Sequence, residues 1–398
     1  MTTIPSAQSQ AAQAERAYAA LVAHEPQRRP DAAAEAAIRA WAEEGLGSAR
    51  FIPWLRLWTA VQGRFREGWL PDSYLARHVL PGLQGGAGRR LGASRMLARR
   101  ILGTDLMPDR AYRVRGFWLD RAGRAIAPET VEKAAFGRAA TLLLRRDSAP
   151  RGQILTRIDR ECFARETSAE AGDLTLIAPP APDPALADLA PGGLPLMRLV
   201  TVKPEGEAAR LAGSLLRLPM DGAALPRPGQ EIALPLAEGL VSGAGLGPDW
   251  LPLARHPESN APFEGRALPG HAAAEAACRA LHDKLPHLTL IGWDVLPAAD
   301  GKIKLIDWDP GVTETGALQA LSGPVFAGLG WEDLWRDQAP ARAPEAAPKP
   351  ALTLVPDPEP VTDPPPAPEP EPAEPTLQAP QPIRPRRVTL PRALRRRA

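Results

Sequence analysis

The sequence predicts an α+β protein with a helical N-terminal region and a disordered Pro-rich C-terminal tail, on three observations. Up to about Arg100, apolar residues recur at three- and four-residue spacing, as in PDAAAEAAIRAWAEEG and FIPWLRLWTAVQGRF, the period of a one-sided helix. From Arg110 the pattern changes to β-rich runs around turn residues, as in YRVRGFWLDRAGRA, mixed with short helical stretches. Residues 340–398 hold 18 prolines in 59 positions, a composition that favours extended chain and cannot pack a core. The expected divisions are a helical region at 1–105, a mixed domain at 106–335 and the tail at 340–398.

Each element has a local reason. Trp54, Trp58 and Trp69 lie at spacings that favour a helical core. Pro128 opens the short helix candidate PETVEKAAF at a first-turn position. Strands are expected at Thr141–Arg146, Gly152–Arg157, Asp173–Ala178, Met197–Lys203, Ala208–Leu218 and Glu231–Leu236, and an Ala-rich helix at Pro269–Lys284.

Composition narrows the function. A chain of 398 residues, 44% apolar and 24% charged, can bury a sizeable core. Cys162 and Cys278 are two cysteines 116 positions apart, which excludes a disulfide framework or zinc cluster and suggests a reducing compartment. No stretch approaches 18 uncharged apolar residues, and the opening MTTIPSAQSQAAQAERAY has neither a basic nor an apolar leader segment, so a cytoplasmic location without a transmembrane segment is expected. The net charge is +2, residues 1–339 are neutral, and seven arginines crowd into 384–398. No nucleic-acid partner is therefore expected for the body, while the tail is a candidate for docking a protein partner.

The informative segment is Leu290 to Gly311, where two β-rich runs flank Asp300-Gly301, a strong hairpin signal. With those two residues as the loop, opposed positions sum to 601, so Asp294 faces Asp307 and Trp293 faces Trp308. Alternation then places Asp294, Asp307 and Asp309 on one face with Leu296, Ile303 and Leu305, and Trp293, Val295, Ile306 and Trp308 on the other. A ribbon apolar on both faces is expected to be buried. Clustered buried carboxylates repel unless a cation joins them. All-oxygen ligands suit Mg²⁺ or Mn²⁺, with phosphate oxygens completing the shell. The competing reading is a hairpin end whose acids meet water or arginines.

This D-x₁₂-D-x-D-P-G hairpin after a helix resembles the magnesium hairpin of the ATP-grasp superfamily. Leu194–Thr201, Leu215–Leu218, His256–Gly265 and Ile291–Asp294 resemble, in that order, the sugar-transfer-associated ATP-grasp family related to α-L-glutamate ligases. The resemblance spans about residues 50–325. It implies an ATP-grasp fold of two α+β subdomains holding ATP, and a ligase that phosphorylates a carboxylate and lets an amine attack the acyl phosphate, with unknown, sugar-linked substrates in cell-surface polysaccharide modification.

On that resemblance Asp294, Asp307 and Asp309 would be the metal ligands, and Arg198 and Arg217 the catalytic arginines that neutralise phosphate, a task suited to a planar fork that keeps its proton. Arg145 or Arg146 would stand for the usual lysine, Ser148, Arg151 and Gly152 would belong to the phosphate loop, and Leu176, Ile177 and Leu305 would line the adenine. Several positions depart from the family. Asp307 stands where Glu is usual and Asp309 where Asn is usual, the loop 145–153 carries one glycine and Pro150, and the loop 223–231 lacks paired glycines. These departures keep open an alternative, a catalytically degenerate nucleotide-binding or scaffold protein that recruits a partner through its tail.

Overall fold

A computed structural model describes residues 7–84, 91–92, 94–136, 142–147, 153–155, 159–168, 172–311 and 314–337 of the 398. Residues 1–341 form one compact unit and 342–398 a second; the Pro-rich tail lies outside the described residues. The architecture is mixed helix and sheet, as the sequence predicts.

Among the described residues, thirteen strands make two sheets. The smaller contains β1 (Asp109–Val114), β2 (Phe117–Asp120), β3 (Leu143–Arg146), β4 (Gln153–Leu155) and β5 (Leu174–Ile177), in the order β2-β1-β5-β3-β4. The larger contains β6 (Leu196–Val202), β7 (Arg210–Pro219), β8 (Glu231–Ala237), β10 (Gly245–Leu246), β11 (Pro252–Leu253), β12 (Leu290–Pro297) and β13 (Ile303–Asp309), ordered β11-β10-β8-β7-β6-β12-β13, with β9 (Leu240–Val241) on β8. The expected strands fall within a few residues of these bounds.

The larger sheet is helix-covered on both faces. On one face, Val200, Val202, Leu215 and Leu290 share a core with Trp54, Trp58, Trp69 and Leu318, so the N-terminal helices Ala7–His24, Ala32–Ala40 and Ile52–Gln62 pack there together with Gly316–Ser322. Trp69 lies beyond the helix that holds Trp54 and Trp58, which stops at the left-handed Gly63. It is nevertheless fully buried, donating from its indole to the Gln319 carbonyl at 3.1 Å. On the other face, Met197, Leu199, Ile291 and Trp293 meet Ala274, Cys278 and Leu281 of the helix His271–Asp283. Covering both faces explains why every residue of β6 and β12 is buried.

A buried polar chain pins that second helix. The Trp293 indole donates to Thr201 Oγ1 at 2.8 Å, the Thr201 hydroxyl stands 2.7 Å from His282 Nδ1, and His282 Nε2 lies 2.9 Å from the Leu288 carbonyl. A carbonyl only accepts, so the consistent assignment protonates Nε2 and leaves Nδ1 to accept. Burial pushes the His282 imidazole down to about 4, and it folds neutral.

The hairpin β12–β13 departs from the uniform register. Gly292, Trp293 and Asp294 pair with Asp309, Trp308 and Asp307, but a bulge follows and Val295 pairs with Leu305, Leu296 with Lys304 and Pro297 with Ile303. Ile306 is the extra residue, and the loop closes between Ala298 and Lys302, not as a two-residue turn. A bulge shifts the alternation by one. Ile303 and Leu305 therefore join Trp293 and Trp308 on the face covered by the helix His271–Asp283, while Ile306 joins Leu296 on the other. The expected face assignment of Ile303, Leu305 and Ile306 is thereby corrected.

Arg95 satisfies the bulge. From the helix Arg95–Leu102, fully buried, it donates Nη1 to the Ile306 carbonyl at 2.6 Å, Nη2 to the Leu305 carbonyl at 3.1 Å and Nε to Asp109 Oδ1 at 2.6 Å. It thus joins β13 of the large sheet to β1 of the small one.

Two outcomes are expected in urea titrations. Arg95→Met strands Asp109 and two carbonyls and should lower unfolding free energy by about 3–5 kcal/mol, with Arg95→Lys recovering part of it. Because His282 binds a proton when unfolded near its ordinary 6.5 but not until about 4 when folded, its contribution is complete above pH 6.5 and is lost as pH falls toward 4. That loss is about 2 kcal/mol between pH 7 and 4.5, and should vanish in His282→Gln.

Candidate active site at the seam of the two sheets

Strand alternation decides which predicted residues reach the seam. On β3, Leu143 and Arg145 turn toward the large sheet, whereas Leu144 and Arg146 turn away, Leu144 into the core with Trp118 and Phe163 and Arg146 onto Glu166 at 2.7 Å. On β5, Ile177 faces the seam and Leu176 packs in the outer core of the small sheet. Leu143 and Ile177 meet Leu194, Leu196, Leu225, Leu296 and Ile306 of the large-sheet side in one buried apolar cluster. Of the expected adenine-lining residues, only Ile177 stands there. Leu176 and Leu305 are corrected to other cores, and the bulge puts Ile306 at the seam in place of Leu305. Arg146 is likewise corrected away from it.

Asp294 stands on β12 opposite Arg198 of β6, and the pairing brings their side chains into a forked contact. Arg198 Nε and Nη2 donate to the two Asp294 oxygens at 2.8 and 2.9 Å, and Arg217 Nη1 approaches the same oxygens at 3.2 and 3.4 Å. Arg217, on β7, also holds Glu231 of β8 through Nε at 2.9 Å and Nη2 at 2.6 Å. Burial alone would raise the Asp294 carboxyl, but the Arg198 and Arg217 guanidiniums outweigh it and hold it below the usual carboxylate range. Burial likewise opposes the Arg217 charge, and Glu231 and Asp294 overcome it.

Asp307, directly across the ladder, behaves oppositely. Its Oδ1 lies 3.3 Å from Arg145 Nε and 3.6 Å from Arg95 Nη1, close enough for charge attraction but not aligned as hydrogen bonds. Burial dominates and pushes its carboxyl up despite Arg145 and Arg95. Arg145 is further tied to Asp147 and donates Nη2 to the Gly92 carbonyl at 2.8 Å, while Asp147 Oδ2 accepts from Thr175 Oγ1 at 2.7 Å. Asp309 turns back on its own loop, where Oδ1 accepts from the Gly311 amide at 3.0 Å.

The structure therefore brings Asp294, Asp307, Arg145, Arg198 and Arg217 together at the seam, and sets guanidiniums where a divalent ion was expected. Both Asp294 oxygens are taken, one Asp309 oxygen is bound to its loop, and among the described residues no group of three His, Cys, Asp or Glu side chains is arranged to hold a metal. The Mg²⁺ or Mn²⁺ centre does not fit this donor set, and the competing reading, acids met by arginines, describes Asp294 and Asp307. Ser148, Arg151 and Gly152 lie outside the described residues. Sequence reasoning missed Arg95, Asp109, Asp147 and Glu231. Only Arg95 carried a signal, since it falls in register with Ala98 and Leu102 on the buried stripe of its helix. Among the described residues no helix is long and apolar enough to cross a membrane.

No protein-family model matches the sequence, and no curated protein matches it. Among solved structures the chain is similar to N5-carboxyaminoimidazole ribonucleotide synthetase from Thermotoga maritima, at 9% identity and a TM-score of 0.31 over 57% of this chain and 44% of that one. It is also similar to the ATP-grasp ligase PsnB complexed with a minimal precursor (11%, TM-score 0.37, 66% and 68%). A third is the biotin carboxylase domain of the Hydrogenobacter thermophilus 2-oxoglutarate carboxylase, solved with MgADP, ADP and bicarbonate (11%, 0.35, 61% and 45%). The chain spans between 44% and 63% of the length of the first three such structures.

Removing one partner of a buried pair leaves the other uncompensated, whereas removing both does not. Asp294→Asn and Arg198→Met should each destabilise by about 3 kcal/mol, and the double variant by much less than the sum, as read from a denaturation double-mutant cycle.

Proposed function

We propose that the seam binds the triphosphate of a nucleotide in the manner of the ATP-grasp proteins the sequence resembles, and that the chain is a carboxylate–amine ligase. One observation carries the reading. At the junction of two sheets, beside a buried apolar cluster, guanidinium nitrogens Arg198 Nη1 and Arg145 Nε are buried with no hydrogen-bond acceptor. Buried donors are normally satisfied, and phosphate oxygens are the acceptors that arginine forks suit.

In the reaction the resemblance implies, a carboxylate oxygen attacks the γ-phosphorus. One P–O bond forms as the bond to the β-phosphate oxygen breaks and ADP leaves. An amine then attacks the acyl carbon, the C–N bond forms, phosphate departs with the C–O pair, and the amine proton is lost. Arg198 and Arg217, fixed by Asp294 and Glu231, would neutralise the charge that spreads over the transferred group. The sugar-linked nature of the carboxylate and amine rests on the family resemblance alone.

A second reading is favoured by the closure of Arg198 and Arg217 on Asp294. With those charges already paired, nucleotide binding without turnover would suit a degenerate ATP-grasp protein that recruits its partner through the tail. Calorimetry and single-turnover assays separate the two. ATP should bind with and without Mg²⁺ to within about tenfold, and Arg217→Met should weaken it at least tenfold. ADP release stimulated by amine acceptors supports the ligase, tight binding without release supports the second reading, and no ATP binding removes both.

A further inference from the structure

A second cationic site lies one helical turn beyond Arg95. A pocket of about 220 Å³ opens between the end of the helix Arg95–Leu102 and the β1–β2 hairpin, lined by Arg99, Arg100, Thr104, Asp105, Tyr112 and Arg121. Arg99 Nη2 and Arg121 Nη2 both donate to one oxygen of Asp105, at 3.0 and 2.9 Å, and Arg99 Nη1 donates to the Arg121 carbonyl at 2.9 Å. Arg99 Nε is buried with no acceptor. Arg100 is held close to the chain at Gly123, where a Cβ would come within 2.7 Å of its Nη2 and φ is +82°, a conformation that favours glycine.

Three guanidiniums face one carboxylate, an excess of two positive charges. The Asp105 side chain is 91% exposed while that of Arg99 is 17% exposed, so the carboxylate stands in water at the rim and the first arginine is set in the wall. Asp105 marks where one anionic oxygen is stabilised by two guanidiniums at once, donors of the kind arginine offers to phosphate.

We propose that this pocket binds a small phosphate monoester through Arg99, Arg100 and Arg121. The charge selects the class: a monoester carries about −1.5 to −2 near pH 7 and balances the excess, which a single carboxylate leaves half uncompensated. The volume admits more than the phosphate group itself. Tyr112 connects the pocket to the seam, donating its hydroxyl to Asp109 Oδ2 at 2.8 Å while Asp109 Oδ1 accepts from Arg95. The site uses none of the residues assigned to the nucleotide and stands whether or not that assignment holds.

The test is ³¹P NMR or calorimetric titration of the full-length protein with inorganic phosphate and glycerol 3-phosphate at constant ionic strength. Saturable binding is expected for both, weakened at least tenfold in Arg99→Gln and in Arg121→Gln, tightened in Asp105→Asn, and matched only weakly by acetate. Arg100→Gln, at an exposed position, keeps the test valid if Arg99→Gln fails to fold. Absence of saturable phosphate binding, affinity unchanged in the arginine variants, or acetate binding as tightly as phosphate overturns the proposal.

Discussion

A single buried guanidinium joins the two sheets by direct hydrogen bonds to both. Arg95 has no exposed surface, and its nitrogens reach Asp109 on one sheet and the carbonyls of Leu305 and Ile306 on the other. A charge so deeply placed is tolerated only when paired and hydrogen-bonded, and the bulge in β13 supplies carbonyls that the ladder leaves available. Each feature satisfies the hydrogen-bonding groups of the other.

From that junction the rest of the site follows. The small sheet delivers Arg145 from β3 to Asp307 on β13, while Arg198 and Arg217 reach Asp294 from the neighbouring strands β6 and β7. Two carboxylates paired across one ladder therefore experience different surroundings. Asp294, gripped by forks, is held in its charged form, and Asp307, whose guanidinium neighbours approach off-axis, is pushed toward its neutral one. Two like groups on one ladder are thereby driven in opposite directions by their neighbours.

Much of this arrangement was readable from residues. The alternation of apolar runs and turn residues located the strands, and the Asp300-Gly301 signal found the hairpin and paired Asp294 with Asp307 and Trp293 with Trp308. The phase change at Ile306 was not readable, because a bulge is set by what receives its carbonyls, and that is Arg95, 211 positions away. The same limit explains the metal expectation. Clustered acids in a sequence require compensation, but whether a divalent ion or a guanidinium provides it depends on strand order, which put β6 beside β12 and Arg198 opposite Asp294. Leu176 and Arg146 were misassigned for a simpler reason, since adjacent residues of a strand face opposite ways and spacing alone does not say which way is inward.

The extra residue in β13 also governs how this ribbon tolerates change. Individual apolar side chains along it can be exchanged for others of similar volume, because each answers only to its own layer. Chain length cannot drift: deleting Ile306 would restore uniform alternation and leave Leu305 opposite Val295 in the Trp293 layer, but it would empty the Ile306 place in the seam cluster and withdraw a carbonyl that holds a buried charge. The ribbon is thus fixed in its count of residues more strictly than in their identity.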